Sequence, residues 1–304
     1  METSILGKTG LNVSRIGFGV ASFASGPSRG KDVSEAGKAL NLVLDSGINI
    51  VDTAASYGDT EELIGDSISH RRNEFILATK FGVHGDVSVR KEKIEESIDR
   101  SLVRLKMDYV DILQLHSPEP NQDLLTMDRE TIVDTMLRAK EAGKTRFIGY
   151  SGDNEAASWA VSTGAFDTLQ TSFNLLDQNP RKGLFEDAKS KDMGIIIKRT
   201  LAMGMWGKCN GTPTYNNPPH MAYLERTIAM HENGPIGDGT DDPILLAMGF
   251  VLHHSQVDSG LISTTNMSHL MSNIEMAQKG APIKLETVDE LYRRYDKFGW
   301  RQMT

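Results

Sequence analysis

The feature that most constrains the fold is an alternation of two hydrophobic patterns along the whole chain. Short runs rich in β-branched residues, typical of buried strands, alternate with longer stretches whose apolar residues recur at helical spacing. The predicted strands are residues 15–19, 48–54, 75–80, 110–116, 145–151, 168–174, 194–200 and 260–265. The predicted helices are residues 34–46, 60–70, 88–106, 129–143, 153–163, 181–191, 244–254 and 266–279.

Eight strand-helix units with no obvious linker predict a closed α/β structure. Because such units connect parallel strands in a right-handed sense, we expect a single-domain (β/α)8 TIM barrel over residues 1–304. A doubly wound sheet is the alternative. Its only glycine signal is GFGVAS at 17–22, which lacks the third glycine of a dinucleotide-binding turn.

Two segments stand outside the repeat. The stretch ILGKTGLNVSRI at 5–16 has the pattern of an N-terminal β-hairpin. Residues 202–243 are rich in Gly, Pro and Asn, and we expect a long loop there, before the eighth strand. Long loops on the catalytic face of a barrel commonly shape the ligand pocket.

Charge and composition exclude several classes of partner. A net charge of −8 without a concentrated basic patch argues against nucleic-acid binding and anionic membrane surfaces. The longest apolar run, residues 244–252, is too short to span a bilayer. A single cysteine, Cys209, excludes an internal disulfide, and METSILGKTG lacks the pattern of a signal peptide. These features predict a cytoplasmic protein, and no metal-binding motif is present in the sequence.

Polar residues with matched chemistry stand at three successive predicted strand ends. The second strand leads into Asp52 and Tyr57, the third ends in Lys80 and the fourth in His116. Active sites of such barrels lie at these ends, so we expect the four side chains on one rim. An ammonium beside a phenol stabilises the phenolate, and an imidazole can orient a carbonyl oxygen. Each residue alone has a plainer structural explanation, and their joint placement is what indicates proton chemistry.

At these residues the chain resembles the aldo-keto reductase superfamily. The similarity covers nearly the whole chain, and it is looser near the C-terminus in LISTTNMSHLMSN at 261–273. The clearer matching segments are LGKTGLNVSRIGFG at 6–19, VDTAASYGDTEELIG at 51–65, ILATK at 76–80, DILQLHSPEP at 111–120, IGYSG at 148–152, LQTSFNLLD at 169–177 and GIIIKRTLAMG at 194–204.

The resemblance implies a reversible, NADPH-dependent reduction of an aldehyde or ketone to an alcohol, with NADH as a possible cofactor. It implies a catalytic tetrad of Asp52, Tyr57, Lys80 and His116, with Tyr57 as the general acid and a small carbonyl compound as the substrate. An alternative is a regulatory protein that senses the cofactor and turns over slowly, as some family members do. A barrel isomerase or lyase would need phosphate or metal ligands that the sequence does not show.

The resemblance also implies the residues that hold the cofactor. Ser151 and Gln170 would hold the nicotinamide, although Gly152 stands where the family usually has asparagine. The segment with Lys198, Arg199 and Leu201 would line the pyrophosphate. The other implied contacts are Gly19, Asp52, Thr264, Thr265, Asn266, His269 and Asn273.

Cofactor choice depends on residues 263–273, which contain no Lys or Arg. A 2′-phosphate is normally held by an arginine, and His269 stands where the family often has one. Hydroxyl groups and the amides of a helix N-terminus can also bind phosphate. We therefore expect a narrow preference for NADPH, which shrinks with rising pH as imidazole groups lose their charge.

Overall fold

The structure of the protein is a computed structural model that describes residues 1–24, 33–82, 91–116, 129–208, 216–236 and 242–303. Cys209 lies outside these residues. Ten strands are described, and they are β1 (Thr3–Ile5), β2 (Asn12–Ser14), β3 (Ile16–Gly19), β4 (Ile50–Asp52), β5 (Ile76–Gly82), β6 (Val110–His116), β7 (Thr145–Ser151), β8 (Thr168–Ser172), β9 (Gly194–Lys198) and β10 (Ser259–Ile262).

The helices of the described residues lie between these strands and after the last one. They are α1 (Val33–Asp45), α2 (Thr60–Ile68), α3 (Lys91–Leu105), α4 (Arg129–Glu141), α5 (Asn154–Thr163), α6 (Leu184–Lys189), α7 (Pro218–His231), α8 (Pro243–Leu252), α9 (Met267–Gln278) and α10 (Leu285–Phe298). None of the helices in the described part of the chain is long and apolar enough to cross a membrane.

Strands β3 to β10 form a closed parallel barrel, which confirms the predicted (β/α)8 fold and excludes the doubly wound sheet. Each strand pairs with the next one along the chain, and β10 closes the circle by pairing with β3, Gly260 beside Ile16. The register sets the carboxyl ends of neighbouring strands side by side. Asp52 lies opposite Ala78 on β5, and His116 lies opposite Ser151 on β7.

The predicted N-terminal hairpin is confirmed, and it belongs to the core. Strands β1 and β2 pair antiparallel, and the side chains of Leu6, Leu11 and Val13 are buried. They form one apolar cluster with the barrel interior, which includes Ile50, Ile76, Ala78, Ile112, Ile196 and Leu261. The hairpin is further fixed by the amide of Lys8, which donates to the carbonyl of Asp192 at 2.6 Å.

One glycine makes this contact possible. Gly194 opens β9, and a Cβ there would lie 2.5 Å from Cγ of Leu6, closer than two carbon atoms can approach. Any larger residue would force the Leu6 side chain to shift. The hairpin therefore depends on glycine at the start of a strand more than 180 residues away in the sequence.

The segment before the eighth barrel strand differs from the expected loop. Its described part contains α7, which begins after Asn217, whose side chain accepts from the amide of His220 at 3.2 Å. Helix α10, which the sequence analysis did not predict, packs beside it. The buried Arg294 of α10 donates to the carbonyls of Met230 at 2.9 Å and Gly234 at 2.7 Å. The first of these carbonyls lies in the last turn of α7 and the second just beyond it, so Arg294 anchors the end of this helix.

We predict that Leu6→Ala lowers the free energy of unfolding by about 2–5 kcal/mol, because it leaves a cavity under the barrel. The neighbouring Ile5 is 55% exposed, so Ile5→Ala should change that free energy by less than about 0.5 kcal/mol. Urea unfolding of both variants measures the difference. Equal losses would show that the hairpin does not seal the core.

Candidate active site

The structure brings the side chains of Asp52, Tyr57, Lys80 and His116 together at the carboxyl ends of β4, β5 and β6. The Nζ of Lys80 lies 2.5 Å from Oδ1 of Asp52 and 5.1 Å from the ring centre of Tyr57. The rings of Tyr57 and His116 meet edge to face, with centres 5.8 Å apart and planes at 89°. The four side chains therefore form one continuous cluster.

Backbone hydrogen bonds fix the loop that carries Tyr57. Beyond the end of β4, the amides of Thr53 and Ala55 still donate to carbonyls of β5, those of Ala78 and Lys80, each at 2.9 Å. The amide of Tyr57 then turns back to the carbonyl of Ala54 at 3.0 Å. The next residue is a glycine with φ of 63°, a left-handed conformation that suits glycine. This turn holds Tyr57, half-buried, beside Lys80.

The ion pair of Lys80 and Asp52 is almost fully buried, with exposures of 1% and 5%. Burial alone would lower the pKa of Lys80, but attraction to Asp52 and Tyr57 and hydrogen bonding raise it above its usual value. The carbonyl of Thr53 also accepts from Lys80, at 2.8 Å. Lys80 is therefore a charged ammonium at neutral pH.

Two amides complete the shell around Asp52. Its Oδ2 accepts from Nε2 of Gln170 at 2.8 Å and from Nε2 of Gln114 at 3.3 Å. Gln114 is not among the site residues predicted from the sequence. A strand's period of two puts Gln114 on the same face as His116 and Ile112, and this signal identifies it as an interior residue.

The residues expected to hold the nicotinamide adjoin this cluster. Ser151 and Gln170 lie opposite each other on β7 and β8, and Oγ of Ser151 donates to Oε1 of Gln170 at 2.9 Å. Gln170 thus joins Ser151 to Asp52. Gly19 ends β3 beside Asp52, and a Cβ on it would make only ordinary contacts, 3.7 Å from the carbonyl oxygen of Ile262.

The residues expected to line the pyrophosphate follow β9. Lys198 ends the strand with a quarter of its side chain exposed, and its Nζ lies 2.8 Å from Oδ2 of Asp153. Burial and repulsion from Arg199 and Lys80 lower the pKa of Lys198, against the attraction of Asp153. Arg199 has φ of 60° and donates to the carbonyl of Met303 at 3.1 Å. Leu201, just beyond it, is half-buried.

The residues expected near the adenosine end lie at the start of α9. Asn266 is the N-cap, and its side chain accepts from the amide of His269 at 3.1 Å. His269 is exposed, and Thr264 and Thr265 are half-buried. Asn273 is only 6% exposed, whereas His269 lies on the open surface.

Comparison with known proteins identifies the family. Residues 15–292 match the model of the Aldo/keto reductase family, so the chain belongs to this family. It is an oxidoreductase that uses NAD(P)H and acts on small carbonyl compounds.

Individual relatives agree with this assignment. The chain is 30% identical to L-galactose dehydrogenase of Arabidopsis thaliana over 288 residues, 90% of this chain and 87% of that protein. It is 31% identical over 295 residues to the uncharacterized oxidoreductase YqkF of Bacillus subtilis, 91% of each. The holo form of the aldo-keto reductase AKR11C1 of Bacillus halodurans shares the fold, with a TM-score of 0.78, 24% identity and coverage of 97% and 96%.

A second buried carboxyl group lies near Arg199. Asp177 is fully buried, and its Oδ2 accepts from the amide of Met303 at 2.8 Å. Its nearest cation is Arg226, whose Nη1 lies 3.9 Å from Oδ1. Burial raises the pKa of Asp177 to about 8. The folded protein therefore keeps a proton that an unfolded aspartic acid loses near pH 4.

This proton predicts a pH effect on stability. Between about pH 4 and 8 the folded state binds more protons at Asp177 than the unfolded state, so the free energy of unfolding falls as the pH rises. Asp177→Asn should remove that part of the slope. Between pH 5 and 8, we expect the free energy of unfolding of the wild type to fall by at least about 1 kcal/mol more than that of the variant. Urea unfolding at both pH values measures the difference. Parallel slopes would contradict a protonated Asp177.

Proposed function

We propose that the protein reduces an aldehyde or ketone to an alcohol with NADPH, reversibly, and that Tyr57 donates the proton. The observation that supports this most is the buried ammonium of Lys80, held by Asp52 at 2.5 Å and placed beside the Tyr57 ring. A buried cation next to a phenol is suited to stabilise the phenolate left by proton donation.

The groups at the mouth fit a nicotinamide dinucleotide. The hydroxyl of Ser151 and the amide of Gln170 can pair with a carboxamide, and the positive charge of Lys198, on a side chain that is one quarter exposed, suits a pyrophosphate. The start of α9 offers backbone amides and the side chains of Thr264 and His269 to a phosphate. A bound nicotinamide supplies the hydride that the carbonyl carbon accepts.

The side chains supply the proton and the electrostatic stabilisation. As the carbonyl carbon is reduced, negative charge develops on the oxygen, and the Tyr57 hydroxyl donates its proton there. Lys80 stabilises the resulting phenolate, and Asp52 keeps Lys80 charged and fixed. His116, edge-on to the Tyr57 ring, orients the carbonyl oxygen. Alcohol oxidation reverses these steps, with the Tyr57 phenolate taking the proton.

Sugars are a reasonable first substrate class to assay. One relative over most of the chain is named as an L-galactose dehydrogenase. Both directions belong in the assay, because the proposed proton transfer is reversible. A panel of simple aldehydes, ketones and aldoses, followed by NADPH absorbance, identifies the class of carbonyl compound.

We predict that Tyr57→Phe lowers kcat by about 10²–10⁴-fold, the range for loss of a positioned general acid. NADPH affinity should stay within a few-fold of the wild type, because the phenyl ring fills the same space. Steady-state kinetics with the best substrate of the panel and a fluorescence titration of NADPH measure the two effects.

Tyr109→Phe is the matched control for this change. Tyr109 precedes β6 at the opposite end of the barrel, where its ring lies 4.3 Å from the Arg72 guanidinium carbon. Loss of its hydroxyl should leave kcat unchanged. A Tyr57→Phe enzyme within a few-fold of wild type would remove Tyr57 from the mechanism. NADPH binding without reduction of any panel compound would favour a cofactor sensor instead.

We predict that NADPH binds more tightly than NADH by a narrow margin, and that His269→Arg widens this margin. The reason is that His269 is exposed at the start of α9, where the permanent charge and planar fork of an arginine would suit a 2′-phosphate better. Dissociation constants of the wild type and the variant for both cofactors give the result.

His70→Arg provides the control, since His70 is exposed in the turn before β5, at the other end of the barrel. Its substitution should leave the ratio of the two constants unchanged. A margin that His269→Arg leaves unchanged would show that position 269 does not face the phosphate. A preference for NADH would overturn the proposed cofactor.

A further inference from the structure

The last described residues, 300–303, lie against the carboxyl end of the barrel, and we call them the C-terminal segment. The carbonyl of Trp300 accepts from Nδ2 of Asn179 at 2.9 Å. The amide and carbonyl of Met303 pair with Asp177 at 2.8 Å and Arg199 at 3.1 Å. Gln302 and Met303 are as buried as core residues, with exposures of 7% and 8%.

Gln302 makes most of the side-chain contacts of this segment. Its Nε2 donates to Oδ1 of Asp153 at 3.0 Å, to Oγ1 of Thr171 at 3.0 Å and to the carbonyl of Ser172 at 2.7 Å. Its Oε1 accepts from the amide of Asn154 at 3.0 Å. One side chain thus joins the ends of β7 and β8 to the start of α5.

The start of α5 is unusual in a way that explains these contacts. Asp153 occupies the N-cap, a position where aspartate normally accepts from its own helix, but here its side chain makes no such bond. Instead its carboxylate accepts from the amide of Ser172 at 2.7 Å and the hydroxyl of Thr171 at 2.9 Å. The amide of Asn154, one of the amides at the start of α5 that have no partner within the helix, donates to Gln302 instead.

The backbone at this point has an uncommon conformation. Asn154 has φ of 53°, in the left-handed region that asparagine adopts more readily than most residues other than glycine. Such a conformation persists when surrounding contacts fix it. Both the amide and the side chain of Asn154 are bonded to Gln302, the latter to its carbonyl at 3.3 Å.

The inward direction of the Asp153 side chain matters because it also contacts Lys198. Its Oδ2 lies 2.8 Å from Nζ of Lys198, at the end of β9. Lys198 keeps a quarter of its side chain exposed, and the contact with Asp153 fixes the direction of its ammonium. The contacts form a chain from Gln302 through Asp153 to Lys198.

We propose that Gln302 is a positioning residue for the barrel mouth: by capping α5 and binding Asp153, it keeps that carboxylate turned inward to orient the ammonium of Lys198. The inference rests on the proposed function in one respect, that the ligand of Lys198 is NADPH. Without Gln302, Asp153 is free to turn outward and cap α5 itself. Lys198 then loses its fixed orientation before the cofactor binds.

Gln302→Ala should raise the Kd for NADPH about three- to tenfold, because the long side chain of Lys198 must then lose its freedom when the cofactor binds. The kcat at saturating cofactor should stay within about twofold, because Gln302 does not contact the cluster around Lys80. Arg301→Ala is the matched control, because the Arg301 side chain in the same segment is exposed. It should leave Kd and kcat unchanged.

A double-mutant cycle tests whether the effect passes through Lys198. The full-length wild type, Gln302→Ala, Lys198→Met and the double variant are titrated with NADPH, and their thermal unfolding is recorded in parallel. We expect Gln302→Ala to add nothing to the Kd of Lys198→Met, because the residue that it positions is already gone. A merely structural Gln302 would lower the melting temperature and leave the Kd unchanged.

Three results would overturn the proposal: effects of the two substitutions that multiply in the cycle, a Kd unchanged by Gln302→Ala, or a Kd that falls. They can be told apart from failure of the proposed function. If the wild type reduces carbonyl compounds but the effects of the two substitutions on Kd are additive in free energy, only the positioning role is refuted. Coupled NADPH binding without any carbonyl reduction would refute only the proposed reaction.

Discussion

The mouth of this barrel depends on burying one ammonium group, that of Lys80, beside the carboxylate of Asp52. Removing one partner of a buried ion pair typically costs about 3–5 kcal/mol, because the other charge is left uncompensated. The chain meets this requirement with the carbonyl of Thr53 and the amides of Gln114 and Gln170. These groups come from β6, β8 and the end of β4, so the ion pair is stable only when the strands are in register. The arrangement that satisfies the charge also places the proposed proton donor, Tyr57, above it.

The fold was largely predictable because strand and helix periodicity repeats along the chain, and each unit is local in sequence. The prediction was weaker where composition and structure disagree. Glycine, proline and asparagine suggested a loop over 202–243, yet Asn217 and the prolines after it are also signals for the start of a helix, and α7 begins there. Helix α10 was missed because it lies beyond the eighth unit, although LETVDELYRRYDKF at 285–298 has clear amphipathic spacing.

The candidate site was predictable to the extent that it stands at strand ends. Asp52, Lys80 and His116 could be placed on one rim from strand order alone, because parallel neighbours end at the same edge. What supports them could not be placed in this way. Gln302 reaches Asp153 across 149 residues of sequence, and no periodic pattern connects a chain terminus to a helix start. The N-cap position of Asp153 would predict a side chain that turns toward the amides of α5, not toward the end of β8.

Barrel closure has a consequence for how the chain is made. Strand β3 is the first of the eight barrel strands to leave the ribosome, but its second neighbour, β10, is the last of them, and the hairpin likewise waits for Gly194. Until residues 259–262 are synthesised, β3 and β9 are sheet edges with unpaired amides and carbonyls, the kind of edge that pairs with other chains. Contacts so distant in sequence also slow folding. A nascent chain that stalls before β10 therefore keeps both of these edges open, and it is through them that it would pair with other chains.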